Sequence, residues 1–276
     1  MTTDCNAPIG VFDSGIGGLS VLKALRAALP HEDFVYIADS GHAPYGEQGA
    51  AHVLARSRAL AQYLVSQNVK ALVMACNTAT AAAIALLRAE HPGLALIGVE
   101  PALKPAMALT RTGRIGVMAT RGTLASAKFQ ALLAAQACGP QAVEFITQPC
   151  DGLAQAIEAS AGTGDTTKTI ALCAYHISAM GPFGTKPGEI DTLVLGCTHY
   201  PLASEHLRAL VGAPVRFIDN GEAVARQTRR RLPDGLLASN ARPGRVSLFA
   251  TSQTHALQAA AQRWLGLSAA VGLLSF

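Results

Sequence analysis

Ile9-Gly10-Val11-Phe12-Asp13-Ser14-Gly15-Ile16-Gly17-Gly18-Leu19 opens the ordered pattern of the chain: a short apolar run, a glycine turn, then helical periodicity that ends before Pro30. That succession reads as strand, turn and helix. Working outward, strands are expected over 34–38, 71–75 and 94–99, helices over about 51–67 and 78–90, and a loop over 39–49 that contains Pro44-Tyr45-Gly46. Strands alternating with helices in this way imply parallel βαβ units with right-handed crossovers, hence an α/β fold built on mostly parallel sheet.

The pattern restarts beyond Glu100-Pro101. A strand over 114–119 meets a turn at 120–122 and a helix; helices follow over 151–160 and 166–180, then a Gly/Pro segment over 181–188, a strand over 192–195 and a helix over 203–211. At 276 residues, against a prior of about 150 per domain, two lobes are expected. A strand, helix, strand and final helix beyond Pro214 are read as returning to the first lobe, which assigns 1–99 plus 212–276 to one unit and 100–211 to the other. A weak internal repeat relates them. Ile9-Gly10-Val11-Phe12-Asp13-Ser14 aligns with Ile115-Gly116-Val117-Met118-Ala119-Thr120, and Leu72-Val73-Met74-Ala75-Cys76-Asn77-Thr78 with Leu193-Val194-Leu195-Gly196-Cys197-Thr198-His199. Buried parallel strands match easily because all are Val/Leu/Ile-rich, but a cysteine at the same place after both strands is less easily produced by chance.

Composition narrows the class. Half of the residues are apolar, 5% are aromatic and the formal charge is +4, with the one dense basic run at Arg226 to Arg231 spread around a helix; this predicts a solvated surface and no nucleic-acid binding. The N-terminus lacks an apolar core, and the most apolar stretch, 71–87, is interrupted by Asn77, Thr78 and Thr80, so neither a signal peptide nor a membrane span is expected. The six cysteines include no Cys-x-x-Cys and the histidines no His-x-x-x-His, which leaves disulfide, zinc and thioredoxin chemistry without their spacing and points to reduced, cytoplasmic thiols and no metal. Gly15-x-Gly17 begins a dinucleotide fingerprint but Ser20 occupies its third position, so no nucleotide cofactor is expected.

Cys76 and Cys197 carry the chemical signal. Each follows a strand and precedes a helix, at the carboxyl end of the sheet where α/β proteins bind ligands and where a helix N-terminus favours a thiolate. A lone cysteine there reads as a small buried hydrophobe; two at equivalent places read as an acid and a base facing one cleft, the arrangement that inverts a stereocentre by proton transfer. Asp13 is placed to serve Cys76 and His199 to serve Cys197, although an N-cap and a structural histidine are alternatives. Ser14, Asn77, Thr78 and Thr198 lie in turns that can hold the ends of an amino acid or cap helices. Two other classes stay open: a non-catalytic amino-acid-binding module, and a single-cysteine redox or phosphatase enzyme, the latter lacking Cys-x-x-Cys and a Cys-x5-Arg spacing.

Four segments, Phe12-Asp13-Ser14-Gly15-Ile16-Gly17-Gly18-Leu19, Pro44-Tyr45-Gly46, Ala75-Cys76-Asn77-Thr78-Ala79 and Gly196-Cys197-Thr198-His199-Tyr200-Pro201-Leu202, resemble the glutamate racemases of the aspartate/glutamate racemase family. The resemblance implies two flavodoxin-like lobes related by a pseudo-two-fold, the site between them, and cofactor-independent conversion of L-glutamate to D-glutamate for peptidoglycan. It implies that Cys76 and Cys197 are the acid/base pair, aided by Asp13, His199 and Glu158, with substrate contacts from Asp13, Ser14, Tyr45, Gly46, Asn77, Thr78, Thr198 and His199. The family usually approaches Glu158 through a Cys-Pro-Leu-rich segment where this chain has Cys150-Asp151-Gly152. Aspartate racemases, the alternative within the family, typically carry an acidic residue where His199 stands. Homodimers are common in the family, and glutamate is the one small-molecule partner it implies.

Overall fold

The computed structural model describes residues 4–137, 143–232, 234–238 and 242–275. The first strand shows how the pattern becomes a layered structure: Ile9 and Val11 enter one core with Leu22 and Leu25, while Phe12, one step out of phase, enters the opposite core with Leu60 and Leu64. Side chains alternate across a strand, so a run apolar at every position must be covered on both faces. Each large apolar side chain buried this way contributes about 2 kcal/mol.

The strands are β1 (Ile9–Asp13), β2 (Phe34–Ala38), β3 (Ala71–Met74), β4 (Ala95–Gly98), β5 (Arg114–Ala119), β6 (Glu144–Pro149), β7 (Thr192–Leu195), β8 (Arg216–Ile218), β9 (Val246–Ala250) and β10 (Val271–Leu273). The helices are α1 (Leu19–Ala28), α2 (Ala50–Ser66), α3 (Asn77–Glu90), α4 (Leu103–Leu109), α5 (Arg121–Ala125), α6 (Ala127–Ala137), α7 (Leu153–Thr163), α8 (Thr167–Ser178), α9 (Ser204–Val211), α10 (Gly221–Arg231) and α11 (Thr254–Leu265). One sheet has the order β10-β9-β2-β1-β3-β4, the other β6-β5-β7-β8, and every pairing is parallel.

In its own count the second sheet runs second, first, third, fourth, which is the order of β2-β1-β3-β4 in the first. The internal repeat is therefore topological: β1 corresponds to β5, and β3 to β7. In both sheets the strand order reverses between these two strands, and ligands bind at the carboxyl ends beside such a switch point. Asp13 and Cys76 stand there in one sheet, Thr120 and Cys197 in the other.

One expectation is corrected. The strand at Arg216–Ile218 was assigned to the returning segment, but it pairs with β7 through Thr192↔Arg216, Leu193↔Phe217 and Val194↔Ile218. The short turn after α9 leads to the neighbouring parallel position, the usual outcome of a crossover; the chain leaves the second sheet only at Asp219. From there α10 packs on α1, and β9 adds to β2. The run Arg229 to Arg231 ends α10 exposed, where positive charge opposes the helix dipole. Two strands, β6 and β10, and the helix α4 have no counterpart in the sequence reading, and the single helix expected after residue 122 is broken at Ser126 into α5 and α6.

Lys70, at the foot of β3, is fully buried and ion-paired with Glu32 at 2.5 Å, and its ammonium donates to the carbonyls of Cys5 (2.6 Å) and Leu236 (2.8 Å). Removing one partner of a buried pair strands the other charge, so Lys70→Met is expected to destabilise the fold by about 3 kcal/mol. Arg226→Ala, which breaks an exposed pair with Glu222, is expected to leave the melting temperature unchanged. Thermal denaturation of the two variants checks both.

Candidate active site

Every residue singled out from the sequence is described, and most converge where the two sheets face each other. In the first lobe Asp13 ends β1 fully buried; its Oδ1 accepts from the Ser14 amide (2.6 Å) and hydroxyl (3.2 Å). Cys76 caps α3, its sulfur accepting from the Ala79 amide at 3.5 Å, and its thiol points at Ser14 Oγ 3.9 Å away. In the second lobe Cys197 follows β7 with its sulfur 3.8 Å from Nδ1 of His199, whose Nε2 lies 2.6 Å from Oε2 of Glu158 on α7.

The two halves interlock. Glu158 accepts from the Ile16 amide of the opposite lobe (3.0 Å to Oε2), and the Thr198 hydroxyl donates to Oδ2 of Asp13 at 3.0 Å. Ser20 Oγ donates to the Thr198 carbonyl at 2.9 Å. This explains the glycine turn. A Cβ on Gly15 would overlap the Glu158 carboxylate and one on Gly17 the His199 ring. The carboxylate that the glycine backbone approaches is thus supplied by the protein itself. Glu158 is brought fully into the site although the segment before it departs from the family pattern.

Further along the seam, the Thr78 hydroxyl lies 3.0 Å from that of Thr120, against whose side chain Gly46 packs. Asn77 Oδ1 accepts from Asn220 Nδ2 at 3.4 Å, while Asn77 Nδ2 and Asn220 Oδ1 are buried and have no partner among the described residues. Tyr45 points elsewhere: its hydroxyl donates to Asp39 Oδ2 at 2.5 Å. Asp39 is a hub that the sequence reading passed over. It is fully buried and also accepts two hydrogen bonds from Arg56 (2.9 and 3.0 Å) and one from Thr251 (2.9 Å). Burial alone would raise its pKa, but these donors hold the carboxylate below the ordinary value. Its position at the carboxyl end of β2 was the available signal; Thr120 carried the same signal after β5.

Electrostatics act strongly on the first thiol. Burial first, then the charge of Asp13, pushes the Cys76 thiol well above its usual pKa, and the charge of Cys197 adds to this across the seam; the Ala79 amide opposes it. The helix N-terminus, expected to lower this pKa, is outweighed by desolvation. Asp13 is raised as well, chiefly by burial. For His199 burial alone would lower the pKa, but the hydrogen bonds and charges of Cys197 and Glu158 prevail and raise it well above the ordinary value. A cavity of about 180 Å³ adjoins this second relay, lined by Ser40, Pro44, Gln155, Glu158 and His199 among others. Among the described residues no group of three or more His, Cys, Asp or Glu side chains is spaced to hold a metal ion, and no helix is long and apolar enough to cross a membrane. Cys5, Cys76, Cys150, Cys173 and Cys197 are free; Cys138 lies outside the described residues.

Fold and site together define a class, the two-sheet parallel α/β isomerases that carry their chemistry between the lobes. Residues 9–228 match the Asp/Glu/Hydantoin racemase family, and the chain belongs to it. It is 51% identical to a glutamate racemase of Ectopseudomonas mendocina over 82% of each chain, and 46% identical to one of Pseudomonas syringae pv. tomato over 90% of this chain and 86% of that one. Among solved structures, a glutamate racemase isoform of Bacillus anthracis superimposes with a TM-score of 0.84 at 31% identity, covering 98% of both chains. The Escherichia coli glutamate racemase in complex with L-glutamate and the activator UDP-MurNAc-ala gives 0.82 at 30% identity, covering 98% of this chain and 99% of that one.

Two outcomes are expected. Gly15→Ala and Gly17→Ala should each lower kcat by about tenfold or more while the protein still folds, because the relay must move to admit the methyl group; circular dichroism and steady-state rates separate the two effects. Stability should fall as pH rises. His199, Asp13 and Cys76 all have folded pKa values above their unfolded ones, so the native state binds more protons than the unfolded state. The His199 contribution is complete below about pH 6.5 and is lost as pH climbs through its folded pKa. Urea midpoints measured from pH 6 to 9 should therefore decline, and His199→Gln should flatten that decline.

Proposed function

We propose that this protein interconverts L- and D-glutamate without a cofactor, with Cys76 and Cys197 as the two proton carriers. The observation that carries the reading is the pair of buried thiols at equivalent switch points, each with its own polar relay. A thiolate removes the α-hydrogen as a proton from one face, and the opposite thiol delivers a proton to the other; the reverse reaction exchanges their roles. Cys76 rests as the acid. Acting as the base requires its proton to leave, and the substrate ammonium group beside Asp13 supplies the positive charge that favours this.

Substrate orientation follows from the donors in the seam. Asn77 Nδ2, the hydroxyls of Thr78 and Thr198 and the backbone at Tyr45 and Gly46 suit the carboxylates, and Asp13 with Ser14 suits the amino group. His199 and Glu158 orient the second thiol. Glutamate is favoured as substrate by the relatives, whose names specify it, and by the L-glutamate bound to the E. coli structure. The activator in that structure, UDP-MurNAc-ala, carries a MurNAc sugar and supports a supply role for peptidoglycan, and with it a cytoplasmic setting.

Circular dichroism of purified protein with L- or D-glutamate, with aspartate as control and no added cofactor, tests the reading. Racemisation of glutamate alone is expected. Cys76→Ala and Cys197→Ala should each cut the rate in both directions by about 10²-fold or more, the scale of a lost general acid or base. Near wild-type racemisation by either variant would sink the two-thiol mechanism.

A further inference from the structure

The two thiols differ in how they connect to water. From Cys76 the polar path runs inward. Ser14 is buried, Asp13 is fully buried with its second oxygen occupied by Thr198, and the nearby Tyr36 is fully buried with its hydroxyl donated to the Gly15 carbonyl at 2.6 Å. From Cys197 the path runs outward through His199 Nδ1 (3.8 Å) and Nε2 to Glu158 (2.6 Å). His199 and Glu158 both line the 180 Å³ cavity, whose wall includes the exposed residues Gln155 and Ala159 on α7. A space of this size, with a carboxylate, a hydroxyl and an amide on its wall, suits several waters.

We infer that this cavity is a proton-exchange port serving Cys197 and not Cys76, a reading that rests on the two-thiol mechanism proposed above. Once Cys197 has taken the α-hydrogen, its sulfur is neutral, one of the charges that hold His199 cationic is gone, and the ring releases its Nδ1 proton to water in the cavity, which leaves a neutral ring protonated at Nε2. The S–H bond then breaks as its proton passes to Nδ1 of the neutral ring. The ring's Nε2 proton passes to the Glu158 carboxylate, which exchanges it with water in the cavity. Reversal of these steps returns a solvent proton to the sulfur. No electrons are transferred, and from the neutral ring onward the total charge of the three groups is conserved. The hydrogen held by Cys76 has no such exit and stays with the sulfur for the lifetime of the deprotonated substrate.

Deuterium exchange reads this asymmetry. The protein is incubated in D2O with unlabelled L- or D-glutamate, stopped at low conversion, and the unreacted enantiomer is separated and assayed for deuterium at the α-carbon. One enantiomer should gain deuterium without inversion several-fold faster, relative to its inversion rate, than the other. The single-thiol variants identify the sulfur. Cys76→Ala, which keeps the port, should still exchange one enantiomer, whereas Cys197→Ala should exchange the other several-fold more slowly. Ala159→Phe and Gln155→Trp, which fill the cavity from its rim, should abolish the wild-type asymmetry while racemisation in H2O is little changed. Equal exchange of both enantiomers, or an asymmetry that survives both filled variants, overturns the port while leaving the racemase reading intact. Failure of the protein to invert glutamate, or racemisation that survives loss of either thiol, overturns that reading and the port with it.

Discussion

A carboxylate shared across the lobe seam is the contact on which the site depends. Glu158, rooted in α7 of the second lobe, accepts from the Ile16 amide of the first and holds His199 at 2.6 Å. Burying a carboxylate is costly unless both oxygens are satisfied, so the backbone must come to it. That is possible only where no side chain intervenes, at Gly15 and Gly17. The same approach sets the distance between the sheets, and with it whether Thr198 reaches Asp13 and whether Thr78 reaches Thr120. Loop composition and lobe spacing are in this sense one constraint.

Burial then decides the protonation of the site. A helix N-terminus and one amide donor favour a thiolate at Cys76, but desolvation and the adjacent Asp13 outweigh them. At His199 the balance is opposite, because the hydrogen bonds and charges of Cys197 and Glu158 overcome its desolvation. The site therefore stores protons on both sides of the seam, on a thiol in one lobe and an imidazolium in the other. This suits a reaction in which the proton count of enzyme plus substrate must not change between L and D forms.

Legibility in the sequence followed burial. Strands β2, β5 and β7 are covered on both faces or lie beside such strands, and their bounds coincide with those expected from apolar runs. The edge strand β6 reads Glu-Phe-Ile-Thr-Gln-Pro with only partial burial, and β10 is three residues long, so neither left an apolar signature. Strand β8 was legible as a strand but not by its sheet, because its partner is chosen by the geometry of the turn after α9. The candidate site was legible where residue type and position after a strand coincided, at Asp13, Cys76 and Cys197. Asp39 and Thr120 stand at equivalent positions and were missed, because an aspartate or threonine in a loop is ordinary.

By itself, then, the order of residues determined the parallel α/β class, the duplication that places one cysteine after the third strand of each sheet, and the family. These depend on local periodicity and on short segments whose spacing along the chain is their information. The tertiary structure decided which lobe owns β8, that the Tyr45 hydroxyl turns to Asp39, that Glu158 answers the glycine loop, and that His199 and Glu158 border a cavity while Asp13 and Ser14 are buried. Each of these is a distance between residues far apart in the chain, and such distances are set by packing of the two sheets against each other, which no local pattern encodes.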